Sequence, residues 1–207
     1  MYPLLLDSFD RAMQALQIQT SPRKPVLNAL AMYMAAKIKA GLEPKLVVIC
    51  THNSRRSHLS QFWLAVAGAQ FSVNLTAYSG GTEVTACHPN TLAALQRAGA
   101  NITQHTPAPN PRHTVAFSAE GAIEVWSKVY ADAANPTGGF AALFICAEAD
   151  AACPFVAGAE ARFSLQYLDP KYADGTPNEP AAYDLASQTI AGEMAWVLAM
   201  VNKYKMA

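Results

Sequence analysis

Five residues lie between Cys50 and Arg56 in the segment Cys50-Thr51-His52-Asn53-Ser54-Arg55-Arg56-Ser57. A thiol and a guanidinium at this spacing suit attack on a tetrahedral oxyanion. Lys45-Leu46-Val47-Val48-Ile49-Cys50 reads as a buried parallel strand, and Ser57 opens a helical stretch that runs to Ala69. A tight loop between strand and helix aims its amides inward, and the helix N-terminus adds positive potential. Thr51, His52, Asn53, Ser54, Arg55 and Arg56 would line such a cradle, with Arg56 offering a two-pronged contact to two oxygens. The same field is expected to favour the Cys50 thiolate, and the Ser57 hydroxyl to hydrogen-bond it. Asn53 suits a left-handed backbone position.

Three other cysteines are present: Cys87, Cys146 and Cys153. Cys146 ends an apolar run, Phe140 to Cys146. Cys153 follows the small, acidic stretch Ala147-Glu148-Ala149-Asp150-Ala151-Ala152, which could form a short helix or loop out. As residues alone, the pair is open to three readings: structural thiols, metal ligands or a redox couple. The histidines His52, His58, His88, His105 and His113 make no recognisable metal-binding spacing, so no metal is expected. Asp169, in Leu168-Asp169-Pro170, could be a turn residue or a general acid that protonates a departing oxygen.

The chain of 207 residues is about half hydrophobic, enough for one sizeable core. Net charge is zero, which gives no basic excess for nucleic acid. No apolar stretch reaches the length of a membrane span, and the start carries no basic, signal-like region. A cytoplasmic protein without membrane contact is expected. In a reducing compartment, cysteines are more often buried, metal-binding or catalytic than bridged.

Residues 7 to 18 and 26 to 40 read as amphipathic helices, separated by Pro22 and Pro25. Leu75 to Tyr78 reads as a strand ended by Ser79-Gly80-Gly81. Pro89 to Ala98 has helical spacing, with Gly99 at its end. Pro107 to Pro111 reads as a turn, and His113 to Ser118 with Ala122 to Trp126 as a hairpin. Phe140 to Cys146 and Arg162 to Leu168 read as strands, and Asp184 to Tyr204 as a closing helix. The alternation predicts an α/β sandwich with a short parallel sheet.

The segment Val48 to Ser57 resembles the loop of low-molecular-weight protein tyrosine phosphatases and thioredoxin-coupled arsenate reductases. The resemblance runs from about Lys45 to near the C-terminus. It includes Tyr78-Ser79-Gly80-Gly81, Asn90 and Ile102-Thr103-Gln104-His105-Thr106. It implies a three-layer sandwich with a four-stranded parallel sheet over residues 45–207, and leaves residues 1–44 as an N-terminal helical extension that could meet a partner or a second copy. It also implies that Asn53, Ser57, Ser79 and His105 form the network holding the loop, and that Asp169 is the general acid. Two departures are visible: His52 replaces the usual glycine, and Arg55 replaces a frequent second cysteine. Residues 107–140 form a longer insertion.

For the cysteine pair, the reductases of this group imply a relay. Cys50 attacks arsenate, Cys146 attacks Cys50 and releases arsenite, Cys153 attacks Cys146, and thioredoxin reduces the final disulfide. Cys87 has no part in it. Some of these reductases bind potassium through acidic side chains. Gln61 and Ala108 stand at those positions here, so neither potassium nor any other bound cofactor is expected. The alternative is a tyrosine phosphatase that hydrolyses phosphomonoesters through a Cys50 phosphocysteine, for which Thr51 and Lys171-Tyr172 match the usual apolar and aromatic positions only in part.

Overall fold

The computed structural model describes residues 1–105 and 107–206. Thr106, the last residue of one of the matched segments, lies outside them. Helices α1 (Pro3–Ala15) and α2 (Lys24–Lys39) lead into strand β1 (Lys45–Cys50) and helix α3 (Arg56–Gln70). Then come β2 (Thr76–Gly81), α4 (Pro89–Ala98), β3 (Asn101–Gln104), β4 (His113–Ala116) and β5 (Ala122–Val125). The chain closes with β6 (Phe140–Phe144), α5 (Ala147–Ala152), β7 (Ala159–Ser164) and α6 (Glu179–Met206).

Strands β2, β1, β6 and β7 form a parallel sheet in that order. Leu46, Val47, Val48 and Ile49 are all fully buried, as expected of a strand covered on both faces. The two faces are visible at β7. Phe163 meets the Tyr33 ring of α2 edge-on, whereas Arg162 lies over the Phe144 ring and bonds to Asp150 of α5. Helices therefore cover opposite sides of the sheet, which gives the three layers expected. A parallel sheet brings every strand's carboxyl end to one edge, so the segments after β1, β6 and β7 emerge together.

Three features differ from the sequence reading. The strand read over Arg162 to Leu168 is β7, Ala159–Ser164. Strand β2 runs through Ser79-Gly80-Gly81 rather than ending before it. The glycines are needed because a Cβ at Gly80 would stand 2.3 Å from the Tyr130 Cα. The predicted hairpin exists as β4 and β5, and β3 adds a third antiparallel strand that sequence pattern did not mark.

The N-terminal helices are not a free arm. Leu5, Phe9, Ala12, Leu27 and Leu30 belong to one continuous core with α3 and α6, and Phe9 stacks on Trp63. The apolar faces that could have met a partner are buried within the chain itself. Helix α6 is the common support, packed against α1, α2, α3 and α4. Among the described residues, no helix is long and apolar enough to cross a membrane.

Helix α1 approaches α6 at Gly192, where a Cβ would stand 2.6 Å from the Ala12 carbonyl oxygen. Gly192→Val should push α1 outward at an overpacking cost of about 1–3 kcal/mol. Scanning calorimetry is expected to show a lowered Tm with the same cooperative transition.

Candidate active site

Cys50 ends β1 opposite Gly81 of β2, and the chain turns at once into the loop before α3. The turn depends on Asn53, whose φ of 45° is the left-handed value anticipated for it. Its amide donates to Cys50 Sγ at 3.1 Å, and its Nδ2 donates to Ser57 Oγ at 2.9 Å. Its Oδ1 accepts from the Lys128 amide at 3.0 Å. Ser57 Oγ lies 3.1 Å from Cys50 Sγ. The sulfur thus accepts from the Asn53 amide and bonds to the Ser57 hydroxyl.

The environment nonetheless does not give the depressed thiol expected from sequence. Burial pushes the Cys50 thiol up, and the nearby Cys146 adds to this. The Ser57 hydroxyl and the Ser54 and Asn53 amides oppose it. The physical reason is burial of the sulfur, and the neighbouring arginines are engaged with other partners. Arg56 donates to the Tyr167 carbonyl at 2.7 Å and pairs with Asp169 at 2.5 Å. Arg55 donates to the Tyr183 hydroxyl at 2.7 Å and to Asp174 at 2.9 Å.

The loop, Asp169, Lys171 and Glu148 line a cavity of about 260 Å³ that opens onto Cys50. Asp169 reaches it because the chain after β7 continues the parallel pairing, with the Tyr167 amide donating to the Ile145 carbonyl. Asp169 also caps the short 3-10 turn Pro170–Ala173 by accepting from the Lys171 amide. The remaining loop residues act mostly through their backbone. The His52 carbonyl accepts from Ser127 Oγ and Thr85 Oγ1, while its ring faces Glu83 at 3.5 Å. Ser54 Oγ donates to the Ala86 carbonyl.

Cys146 directly follows β6, whose pairing with β1 continues through the Ile145 amide to the Ile49 carbonyl. Its sulfur lies 3.6 Å from Thr51 Oγ1, against the loop. Cys153 stands at the far end of α5, also buried, and its carbonyl accepts from Arg162. All four cysteines are free thiols. Burial pushes Cys87 far up, which suits a bystander.

One assigned support does not reach the loop. His105 is half-exposed on the small antiparallel sheet, bonded to Thr114 and facing Glu124. The ring that meets Ser79 is His58 of α3, at 3.3 Å. Its spacing from the loop carries no signal, because any residue of the first turn of α3 could have faced β2. Sequence reasoning also missed Ser127 and Lys128, which hold His52 and Asn53, and the Arg55–Asp174–Tyr183 set, where His88 stacks on Tyr183. Lys128 and Ser127 act partly through main-chain atoms, which no residue type announces.

The chain matches no family model and no curated protein. Among solved structures it is similar to a YwlE mutant from Bacillus subtilis, at 13% identity and a TM-score of 0.52, over 77% of this chain and 99% of that one. A low-molecular-weight protein tyrosine phosphatase from T. tengcongensis is 14% identical with a TM-score of 0.51, over 78% of this chain and 99% of that one. A Corynebacterium glutamicum thioredoxin-dependent arsenate reductase is 15% identical with a TM-score of 0.46, over 97% of this chain and 85% of that one. The fold is therefore that of the low-molecular-weight protein tyrosine phosphatases. Which chemistry runs on it depends on the site.

His58 supplies a test of the loop support. Burial, aided by the Lys128 cation, lowers its pKa to about 3. The unfolded chain, with a histidine near about 6.5, binds the proton first, so stability falls as pH drops from there towards 3. His58→Gln removes this titration and should flatten the loss of urea midpoint between pH 7 and 4.5.

Proposed function

We propose that this protein is a cysteine-dependent oxyanion enzyme that reduces arsenate to arsenite, with Cys50, Cys146 and Cys153 as a thiol relay and thioredoxin as the external dithiol. The observation that supports it above all is Cys146, buried with its sulfur 3.6 Å from Thr51 Oγ1 and beside the nucleophile's loop. The phosphatase reading assigns that thiol no step.

In this reading arsenate takes Arg56 from Asp169, and the Cys50 thiol passes its proton to the Asp169 carboxylate. The resulting thiolate attacks arsenate within the loop amides, and Asp169 gives that proton to the departing oxygen, which leaves as water. Cys146 thiolate then attacks the Cys50 sulfur. A disulfide forms, the sulfur–arsenic bond breaks, and its electron pair reduces arsenic(V) to arsenite. Cys153 thiolate attacks Cys146, freeing Cys50 as thiolate and leaving a Cys146–Cys153 disulfide. Thioredoxin's two thiols reduce that bond and become a disulfide themselves.

The last internal step needs movement. The six residues of α5 place the two cysteines seven steps apart, or about 10 Å between Cα atoms at 1.5 Å per residue. A disulfide tolerates about 7 Å at most. Helix α5 must therefore unwind, releasing Asp150 from Arg162 and Ser164.

A phosphatase is the second reading, favoured by one observation. Leu168 and Tyr172 flank Asp169 and are 74% and 62% exposed, an apolar rim suited to an organic leaving group.

Arsenate-dependent NADPH oxidation with thioredoxin and its reductase, run beside p-nitrophenyl phosphate hydrolysis, separates the two. Under the proposal, Cys50→Ser, Cys146→Ser and Cys153→Ser each abolish arsenate turnover. Cys153→Ser also accumulates a Cys50–Cys146 disulfide visible by mass spectrometry. No turnover of arsenate, with Cys146→Ser hydrolysing the aryl phosphate at the wild-type rate, would establish the phosphatase instead.

A further inference from the structure

Arg23 stands at the start of α2, outside the part of the chain that resembles the phosphatases, yet its guanidinium reaches the segment that delivers Asp169. Nε and Nη2 grip the Glu193 carboxylate of α6 at 2.6 and 2.8 Å. Nη1 donates to the Gln166 carbonyl at 2.5 Å. The guanidinium lies over the Tyr167 ring, 4.5 Å from its centroid. The Tyr167 hydroxyl donates to Glu193 Oε2 at 2.6 Å. Burial and the Glu193 carboxylate hold that phenol well above its usual range, so it keeps the proton it donates.

Tyr167 is the junction. Its side chain is locked by Arg23 and Glu193, and its carbonyl accepts Arg56 Nη1 at 2.7 Å. Asp169 follows two residues later and binds the same arginine. A salt bridge that only joined α2 to α6 would need Glu193 alone. Here a third N–H of the same fork reaches the backbone of the acid-bearing segment. Glu193 is 3% exposed, so this charge is not a solvated surface ion and needs its partners.

We propose that Arg23 is a positioning residue for the general-acid segment, and that the N-terminal helices are thereby a working part of the active site. Arg23, Glu193 and Tyr167 fix residues 166–169, and so set where Asp169 and Arg56 stand relative to Cys50. This rests on the reading of Asp169 as general acid, and the test separates the two claims.

Three variants are useful. Arg23→Lys keeps the charge but loses the fork. Tyr167→Phe removes only the phenol bond. The double variant Arg23→Met/Glu193→Gln removes both charges and leaves no buried ion unpaired. Each is compared with Asp169→Asn by two readouts. The first is amide hydrogen exchange over residues 166–173, set against exchange in the middle of α3. The second is kcat and KM for phenyl phosphate against p-nitrophenyl phosphate, since the poorer leaving group needs the proton more.

The expected result is faster exchange over 166–173 with α3 unchanged. For phenyl phosphate, kcat should fall about 10–100-fold, with a much smaller fall for p-nitrophenyl phosphate and little change in KM. Wild-type exchange over 166–173 in all three variants would overturn the proposal, as would equal losses on both esters. Exchange reports on Arg23 whether or not the protein turns over either ester. If Asp169→Asn spares leaving-group dependence while the Arg23 variants loosen the segment, the acid assignment fails and the positioning of the segment stands.

Discussion

The site depends first on one residue that bonds in three directions. Asn53 takes a backbone conformation that most residues avoid, and from it touches Cys50, Ser57 and Lys128. The first two contacts close the loop around the sulfur. The third ties the loop to the segment after β5, where the Lys128 carbonyl and Tyr130 amide bracket Gly81 at the end of β2. Strand, loop and neighbouring strand are thereby joined at one point. With the asparagine removed, Ser57 Oγ and the buried Lys128 amide would each lose a partner, and unsatisfied buried groups cost about 1–3 kcal/mol apiece.

Charge around the loop is more distributed than two adjacent arginines suggest. Arg55 is held by Tyr183 and Asp174, and Arg56 by Asp169 and a carbonyl. Each arginine thus links the loop to the chain that follows β7. The loop is organised by backbone amides and one hydroxyl, and the cationic side chains serve as braces between elements.

What was legible in the sequence was what is local. The β-branched run before Cys50 and the helix after Arg56 lie in one contiguous stretch, so residue pattern alone defines strand, loop and helix. The parallel edge then accounts for Cys146 and Asp169 arriving near Cys50. What failed to show had one cause, partner choice across the fold. Ser79 could have met a histidine from any element, and His58 rather than His105 occupies the place because α3 packs directly on β2. The amphipathic pattern of α1 and α2 marks a buried face but not its cover, so nothing in residues 1–44 announced α6. The arginines escaped for another reason: their length lets the charged head settle several residues away from where the loop spacing puts the Cα.

Helix α5 has a consequence for the protein at rest. Its two flanking thiols are close in sequence, buried, and separated by a rigid spacer pinned to β7 through Asp150. Oxidants that meet the idle protein find no pair of sulfurs between Cys146 and Cys153 within bonding distance, and only unwinding supplies one. In the proposed relay the spacer is a latch against futile oxidation, opened by chemistry at Cys50 and shut again once the thiols are restored.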